Sequence, residues 1–369
     1  MRRNALVLVA LVIAACSIGF IWWQRERLTL WIDVRQLANA SPEQMAATIN
    51  ELMQREQEAV PLLVRQLETE DEQLARGCGQ ALMSIMERHG VLSNRTEQIV
   101  GVLANRFERF SPAGQNQVMT MLIHFLQSPT DPPSKAMVDA GGQVLQKCTE
   151  DCQAQRVLMM QLASWIAKQP QADAWLGSCR LITLRGLSDT QAQVRIAAVQ
   201  AAMNPTLQLL EQLPKMLYSE RVEMDPDVRV MLLLGLGNRE SLLPTDQLLT
   251  YLHDSEREVR EVAQQALRSR GLSTERIRLA QLLTHPDPVM RARVPSQVIE
   301  IPDLDASIWL EKLSHDPAPV VRAAVARSAG DTQETKWHSL LQKLASDDPN
   351  PTVQQLAEFY LGQNGLRRQ

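Results

Sequence analysis

The sequence has few aromatic residues and none of the short motifs that mark common catalytic sites. Only 4% of its 369 residues are Phe, Trp or Tyr, so Leu, Val, Ala and Met must pack most of the core. No segment alternates polar and apolar residues over the length of a β-strand. No nucleophile elbow, P-loop, dinucleotide fingerprint or zincin motif is present. We therefore expect an all-α protein that is not an enzyme and uses no cofactor or small-molecule substrate.

The charge of the chain disfavours a nucleic-acid partner. The net charge is −4, and the first 35 residues hold +3, from five arginines against Glu26 and Asp33, so the remaining chain holds −7. A nucleic-acid groove is normally basic, because it must neutralise phosphates. We therefore expect a protein partner and no nucleic acid.

One short phrase recurs between residues 189 and 361. A valine or methionine is followed by arginine, or once by glutamine, and successive copies are 34, 31, 31, 31 and 32 residues apart. The copies are Val194-Arg195, Val228-Arg229, Val259-Arg260, Met290-Arg291, Val321-Arg322 and Val353-Gln354. A fixed period of this length is typical of repeat proteins, whose units stack to bury their apolar faces.

Each repeat has the same internal order. A turn rich in Asp and Pro precedes the helix that carries the phrase, which has apolar residues on one face. The remaining residues of the repeat fit another helix. Glycine follows the phrase at Gly237, Gly330 and Gly362, where we expect the left-handed conformation that ends a helix. Pro295 falls inside an expected helix and should kink or shorten it.

The phrase D-x-x-x-x-V-R-x-x-A resembles the HEAT repeat. It stands here as Asp189 to Ala198 and Asp254 to Ala263, and in part from Asp316. The period near 31 is most similar to the short bacterial subclass related to phycobilisome lyases. The resemblance implies a right-handed α-α superhelix, a HEAT-like solenoid. It also implies, as an alternative function, a chromophore-lyase-like subunit.

The arginines of the phrase form a regular series. An acidic residue lies in the same or a neighbouring turn in each case, namely Asp189, Glu223, Asp254, Asp287 and Asp316. A ladder of charge-assisted hydrogen bonds between repeats explains the series without a phosphate ligand. We therefore assign a structural role to Arg195, Arg229, Arg260, Arg291 and Arg322.

The N-terminal region predicts a membrane anchor. Residues 1–4 are basic, and residues 5–23 carry no charge, a run of about 28 Å as a helix, close to the thickness of a bilayer core. Residues 24–35 form a juxtamembrane segment with Trp31 and arginines. The alternative is a lipobox ending at Cys16, which would carry a lipid. The short basic start favours a single-pass protein with its body on the exported, periplasmic side.

The rest of the chain divides by the clarity of its repeats. Degenerate helical repeats are expected over 36–130, helical repeats over 131–187 and HEAT-like repeats over 188–365, followed by a tail at 366–369. Cys148 and Cys152 could close a small disulfide if their linker is a loop. His253, His285 and His315 lie in successive turns, too far apart for one metal ion, and no metal site is expected.

Two repeat helices are apolar on nearly every side. In a two-layer stack, Ile196, Val199, Val230 and Leu233 would face the concave surface, and exposed apolar patches often bind protein. The alternative is that neighbouring helices cover them. We therefore predict a membrane-tethered protein-interaction scaffold or adaptor, with a structural envelope lipoprotein as a further alternative.

Overall fold

A computed structural model of the protein describes residues 28–128, 132–148, 153–217, 225–301, 305–332 and 334–366. Every regular element in these ranges is a helix, so the predicted all-α class is confirmed. The predicted anchor 5–23, Cys16 and Cys152 lie outside the described residues. In the part of the chain that is described, no helix combines the length and apolar character needed to cross a bilayer.

The described chain forms two compact units, which divide between residues 219 and 220. The first contains α1 (28–36), α2 (Pro42–Gln54), α3 (Glu56–Gln66), α4 (Glu72–His89), α5 (Asn94–Arg106), α6 (Pro112–Leu126), α7 (Lys135–Lys147), α8 (Gln153–Ala167), α9 (Leu176–Leu187), α10 (Ala192–Ala202) and α11 (Leu213–Leu217). The predicted segment limits after residues 130 and 187 both fall inside this unit.

The second unit continues the helical pattern. It contains α12 (Pro226–Leu236), α13 (Thr245–Thr250), α14 (Arg257–Ser269), α15 (Thr274–Leu283), α16 (Pro288–Arg291), α17 (Val294–Glu300), α18 (Ala306–Ser314), α19 (Pro319–Asp331), α20 (His338–Asp347) and α21 (Pro351–Leu366). The predicted right-handed superhelix concerns the shape of the whole chain and stays a prediction.

Local sequence explains where many helices begin. Ser41 and Gln44 form a reciprocal capping box at the start of α2, and Asp71 accepts the first free N–H groups of α4. Ser111 and Ser134 cap α6 and α7 in the same way. Such caps satisfy backbone donors that have no partner within the helix.

The helices of each unit pack in two rows. In the first unit, α4, α6, α8 and α10 pack side by side, and α5, α7 and α9 form the other row. In the second unit, α12 packs on α14, and α17, α19 and α21 continue that row, while α15, α18 and α20 each pair with a helix of it. We call the helices that carry the Val-Arg phrase the second helices.

The valine of the repeated phrase is the centre of each layer. Val194, Val228, Val259, Val321 and Val353 are all essentially inaccessible to solvent. Met290, at the same position of its repeat, is only half-buried. Its helix is divided into α16, which ends at Arg291, and α17, which begins at Val294 and has Pro295 in its first turn. The predicted effect of Pro295 is confirmed.

The prediction for three glycines was wrong. Gly237, Gly330 and Gly362 are not left-handed, and the described glycines with positive φ are Gly90 and Gly271. Close packing explains two of the three instead. A methyl group at Gly237 would approach the Cβ of Ala266 to 2.7 Å, and one at Gly330 would overlap the ring of Tyr360. These glycines let adjacent second helices approach closely.

Candidate protein-binding surface and the arginine ladder

The most buried ionic contact in the C-terminal unit joins two successive repeats. Arg322 Nε donates to Asp348 Oδ2 at 2.7 Å, and its Nη2 donates to Oδ1 at 3.0 Å. The two side chains are 8% and 1% exposed. A paired fork of this kind fixes direction as well as distance.

The same arginine also closes its own turn. Nη1 of Arg322 donates to the carbonyl oxygens of Asp316 at 2.7 Å and Pro317 at 3.1 Å. The carboxylate of Asp348 in turn accepts the backbone N–H of Asn350 at 2.8 Å. One guanidinium therefore joins the turn that precedes its helix to the turn of the next repeat.

The arrangement recurs along the chain. Arg291 binds Asp316 through Nε at 2.8 Å and Nη2 at 2.9 Å, and Arg229 reaches Asp254 at 2.9 Å. Each acid lies six residues before the arginine or glutamine of its own repeat. In the N-terminal unit, Arg156 pairs with Asp189 at 2.8 Å, and Nη1 of Arg195 binds the carbonyl oxygens of Asp189 and Thr190.

The contacts of Asp316 and Asp348 favour the ionised form of these two carboxylates. Burial alone would raise the pKa of Asp348, but hydrogen bonds from Arg322 and from the backbone of Asn350 hold that pKa below its usual range. The pKa of Asp316 is lowered for the same reasons, with Arg291 as its partner. The arginines are therefore engaged inside the protein, as a structural ladder requires.

The ladder is interrupted at one position. The residue six before Arg291 is His285, where the other repeats have aspartate or, at position 223, glutamate. Nδ1 of His285 accepts the backbone N–H of Asp287 at 3.0 Å, which replaces the turn bond but supplies no carboxylate. Arg260 keeps its bonds to the carbonyl oxygens of Asp254 and Ser255, both at 2.7 Å, and pairs with no described acid. The expected role of Asp287 was wrong, because its carboxylate caps α16 at Val289.

The histidines do not occupy equivalent positions as predicted. His253 and His315 each lie one residue before a ladder aspartate, whereas His285 stands at the aspartate position itself. The rings of His253 and His285 meet edge to face with centroids 5.2 Å apart. This is closer than the helix-packing distance of about 8–10 Å expected between successive repeats. Burial, and then the charge of His285, lower the pKa of His253. The offset was readable from the spacings of 32 and 30 residues.

The second helices share a stripe of exposed and half-buried side chains, which we call the second-helix face. It consists of the residues two and six positions after the first residue of the phrase. In the C-terminal unit these are Val230, Leu234, Glu261, Gln265, Ala292, Ser296, Ala323, Arg327, Gln355 and Phe359. Leu234 and Phe359 are each 56% exposed.

Two of the four predicted binding residues do not lie on this face. Val199 and Leu233 are fully buried, while Ile196 and Val230 are half-buried. The expectation failed because each second helix has its partner helix on one side and further second helices beside it. The position five after the valine therefore packs against a neighbour, and the position after that, Leu234, turns to solvent.

The cysteines show no sign of a reactive site. Cys78, Cys148 and Cys179 form no disulfide with another described cysteine, and burial raises the pKa of each thiol to about 12. The Sγ of Cys148 lies 3.6 Å from the Sδ of Met119; its pairing with Cys152 stays a prediction. Among the described residues, no group of three His, Cys, Asp or Glu side chains could hold a metal ion.

The C-terminal repeats match a known family. The family model for HEAT repeats matches residues 276–362. Among solved structures, an engineered protein is 18% identical at a TM-score of 0.40, covering 90% of this chain and 93% of that one. UNC-45 from Drosophila melanogaster is 12% identical at a TM-score of 0.33, covering 91% of this chain and 57% of that one. No curated protein matches the sequence. Residues 276–362 are thus similar to HEAT repeats, and the described elements of the whole chain are α-helical.

The ladder predicts unequal costs for removing its arginines. Arg322→Ala should lower the free energy of unfolding by about 3–5 kcal/mol, because it leaves the carboxylate of Asp348 buried and unpaired. Arg260→Ala should cost only about 1–2 kcal/mol, because it removes bonds to carbonyl oxygens alone. Urea unfolding of the two variants measures the difference. Equal losses would show that the carboxylate adds nothing to the contact.

The histidine contact predicts a loss of stability in mild acid. His253 has a lowered pKa in the folded state, so the unfolded chain binds its proton more readily, and stability falls as pH drops below the ordinary value of 6.5. His253→Gln should reduce this loss between pH 7.5 and 5.5, while His338→Gln should not. Asp316 and Asp348 stay ionised in that range, because their arginine partners hold their pKa values below the usual range of an aspartate. Identical pH profiles for wild type and His253→Gln would contradict the prediction.

Proposed function

We propose that the protein is a membrane-tethered scaffold that binds another protein through the second-helix face and performs no catalysis. The observation that carries this proposal is that each repeat has two distinct sets of side chains. The ladder arginines face inward and are hydrogen-bonded, whereas one solvent-exposed stripe of side chains varies from repeat to repeat. Stacked repeats present extended surfaces of this kind to their partners.

The composition of the second-helix face suggests where binding energy is concentrated. Val230 and Leu234 stand together at its start, and Phe359 stands near its end, whereas the residues between them are polar or small. Interfaces commonly draw most of their free energy from a few large apolar side chains surrounded by neutral contacts. Leu234 is therefore the first residue to test.

The helix that follows the predicted anchor supports the membrane tether. One side of α1 is part of the core, since Leu30 and Val34 are buried, and Arg55 Nη1 donates to Thr29 Oγ1 at 3.2 Å. The other side exposes Leu28, Trp31 and Ile32 to solvent, and Arg35 lies over the ring of Trp31 at 4.7 Å. Apolar side chains with Trp and Arg are typical of segments at a membrane surface.

Three finer points belong to the same proposal. The anchor is an uncleaved helix over 5–23 and not a lipid on Cys16, and the body lies on the exported side. The mass of the mature N-terminus separates the helix from the lipoprotein. Coloured adduct formation with a bilin acceptor would favour the chromophore-lyase alternative over a scaffold.

The tether predicts the outcome of two deletions. Removal of residues 1–27 should release the protein from the membrane fraction and leave its melting temperature unchanged, because α1 remains docked. Removal of residues 1–36 should also release it but lower the melting temperature, because it takes Leu30 and Val34 out of the core. Fractionation and circular dichroism measure both. If the protein without residues 1–27 unfolds or aggregates, that segment is part of the core and the tether proposal is wrong.

Protein binding predicts different effects of a charge at neighbouring residues. Leu234→Glu should change the free energy of unfolding by less than about 1 kcal/mol, because the site is exposed, and should abolish capture of a cross-linked partner from the native membrane. Ile308→Glu, an exposed control on α18, should preserve both stability and capture. Leu233→Glu should unfold the array, since the charge would be buried. Undiminished capture by Leu234→Glu would move the binding surface elsewhere.

A further inference from the structure

One repeat departs from the pattern at three positions that the others use for structure. His285 replaces the ladder aspartate, Met290 replaces the buried valine, and Pro295 interrupts the second helix. His285 supplies no carboxylate to Arg260, Met290 is less buried than the valines, and Pro295 lies where the helix is divided. Their coincidence in a single repeat indicates that this repeat serves a purpose besides stacking.

Two of the three departures, His285 and Met290, line a cavity. It has a volume of about 320 Å³ and lies between α15 and the divided helix α16–α17, within the C-terminal unit. Leu282 and the half-buried Met290 line part of it, and His285 stands at its edge. The volume is at the lower end of the range for binding pockets, enough for a side chain or a small group. We call this cavity the His285 pocket.

The described lining of the His285 pocket is basic, although the body of the protein is acidic. Arg278 and Arg293 both line it, together with His285 and two glutamines, and none of the described lining residues is Asp or Glu. Both arginines are exposed to solvent, and neither guanidinium group has a hydrogen-bonding or ionic partner among the described residues. Asp287, the acid nearest in sequence to His285, caps α16 with its carboxylate, and Glu275, three residues before Arg278, is not among the described lining residues. Two arginines therefore line a cavity whose described lining residues supply no counter-charge.

The chemistry of the pocket favours a carboxylate. Guanidinium forks match the geometry of carboxylates, and this chain itself satisfies Arg291 and Arg322 with aspartates. Leu282 and Met290 would contact the methylene groups of such a side chain. A polyanion such as nucleic acid or a lipid surface would meet the net charge of −7 of the body. We propose that the His285 pocket binds an acidic side chain of the protein partner, an inference that rests on the proposed function.

A labelled acidic peptide tests the pocket directly. Full-length protein in detergent is titrated with fluorescent tetraglutamate and with tetraglutamine, and binding is followed by anisotropy. We expect tetraglutamate alone to bind, and the Arg278→Gln/Arg293→Gln variant to lose affinity by about tenfold or more. The control Arg268→Gln/Arg276→Gln makes the same charge change at exposed arginines outside the lining, and should retain affinity within about twofold.

The outcomes separate the pocket from the proposed function. Equal losses in both double variants would reduce the effect to overall charge and overturn the inference, as would no binding to wild type. Displacement of the peptide by inorganic phosphate at lower concentration than by acetate would assign the pocket to a phosphate group instead. Partner capture that survives loss of the pocket arginines would overturn the inference and leave the scaffold proposal standing. Absence of any partner for wild type would overturn the scaffold proposal itself.

Discussion

The contact on which each stack of repeats depends is an arginine that bonds two turns at once. One edge of the guanidinium satisfies carbonyl oxygens of its own turn, and the other holds an aspartate of the next repeat, as Arg322 does with Asp348. A buried charge is tolerated only when its hydrogen bonds are complete. The aspartate therefore has to arrive at one place, and the register between repeats is set by that requirement as much as by the apolar core.

Much of this organisation could be predicted from the sequence, because it rests on local rules repeated several times. The period of 31 residues, the Asp-Pro turns and the helical character follow from spacing and composition, and Pro295 shortens its helix for a steric reason that needs no tertiary information. The kind of ladder could be predicted as well. The partner of each arginine could not, because the choice between its own turn and the next depends on the rise between repeats.

The errors share a cause. Packing between helices determines which residues are buried and where a side chain has no room, and the sequence of a single helix does not show this. Gly237 and Gly330 were assigned to helix ends from position alone, whereas their neighbours Ala266 and Tyr360 require the absence of a side chain. Leu233 was expected at the surface, because the periodicity of one helix does not show how many neighbouring helices pack around it. Neighbouring helices bury Leu233, and the next residue, Leu234, is the one exposed to solvent.

The missing carboxylate at His285 has a mechanical consequence. In a stack of repeats, stability is a sum of unit terms and nearest-neighbour terms, so a weak interface divides the stack into blocks that open independently. The layer of α14 and α15 is joined to the next without a charged rung, and Pro295 further loosens the helix that faces it. We therefore expect partial unfolding to begin at this boundary. Backbone amide protons would exchange there while the turns at Asp316 and Asp348 remain folded. A ligand that supplies a carboxylate at the same boundary would fuse the two blocks into one cooperative unit.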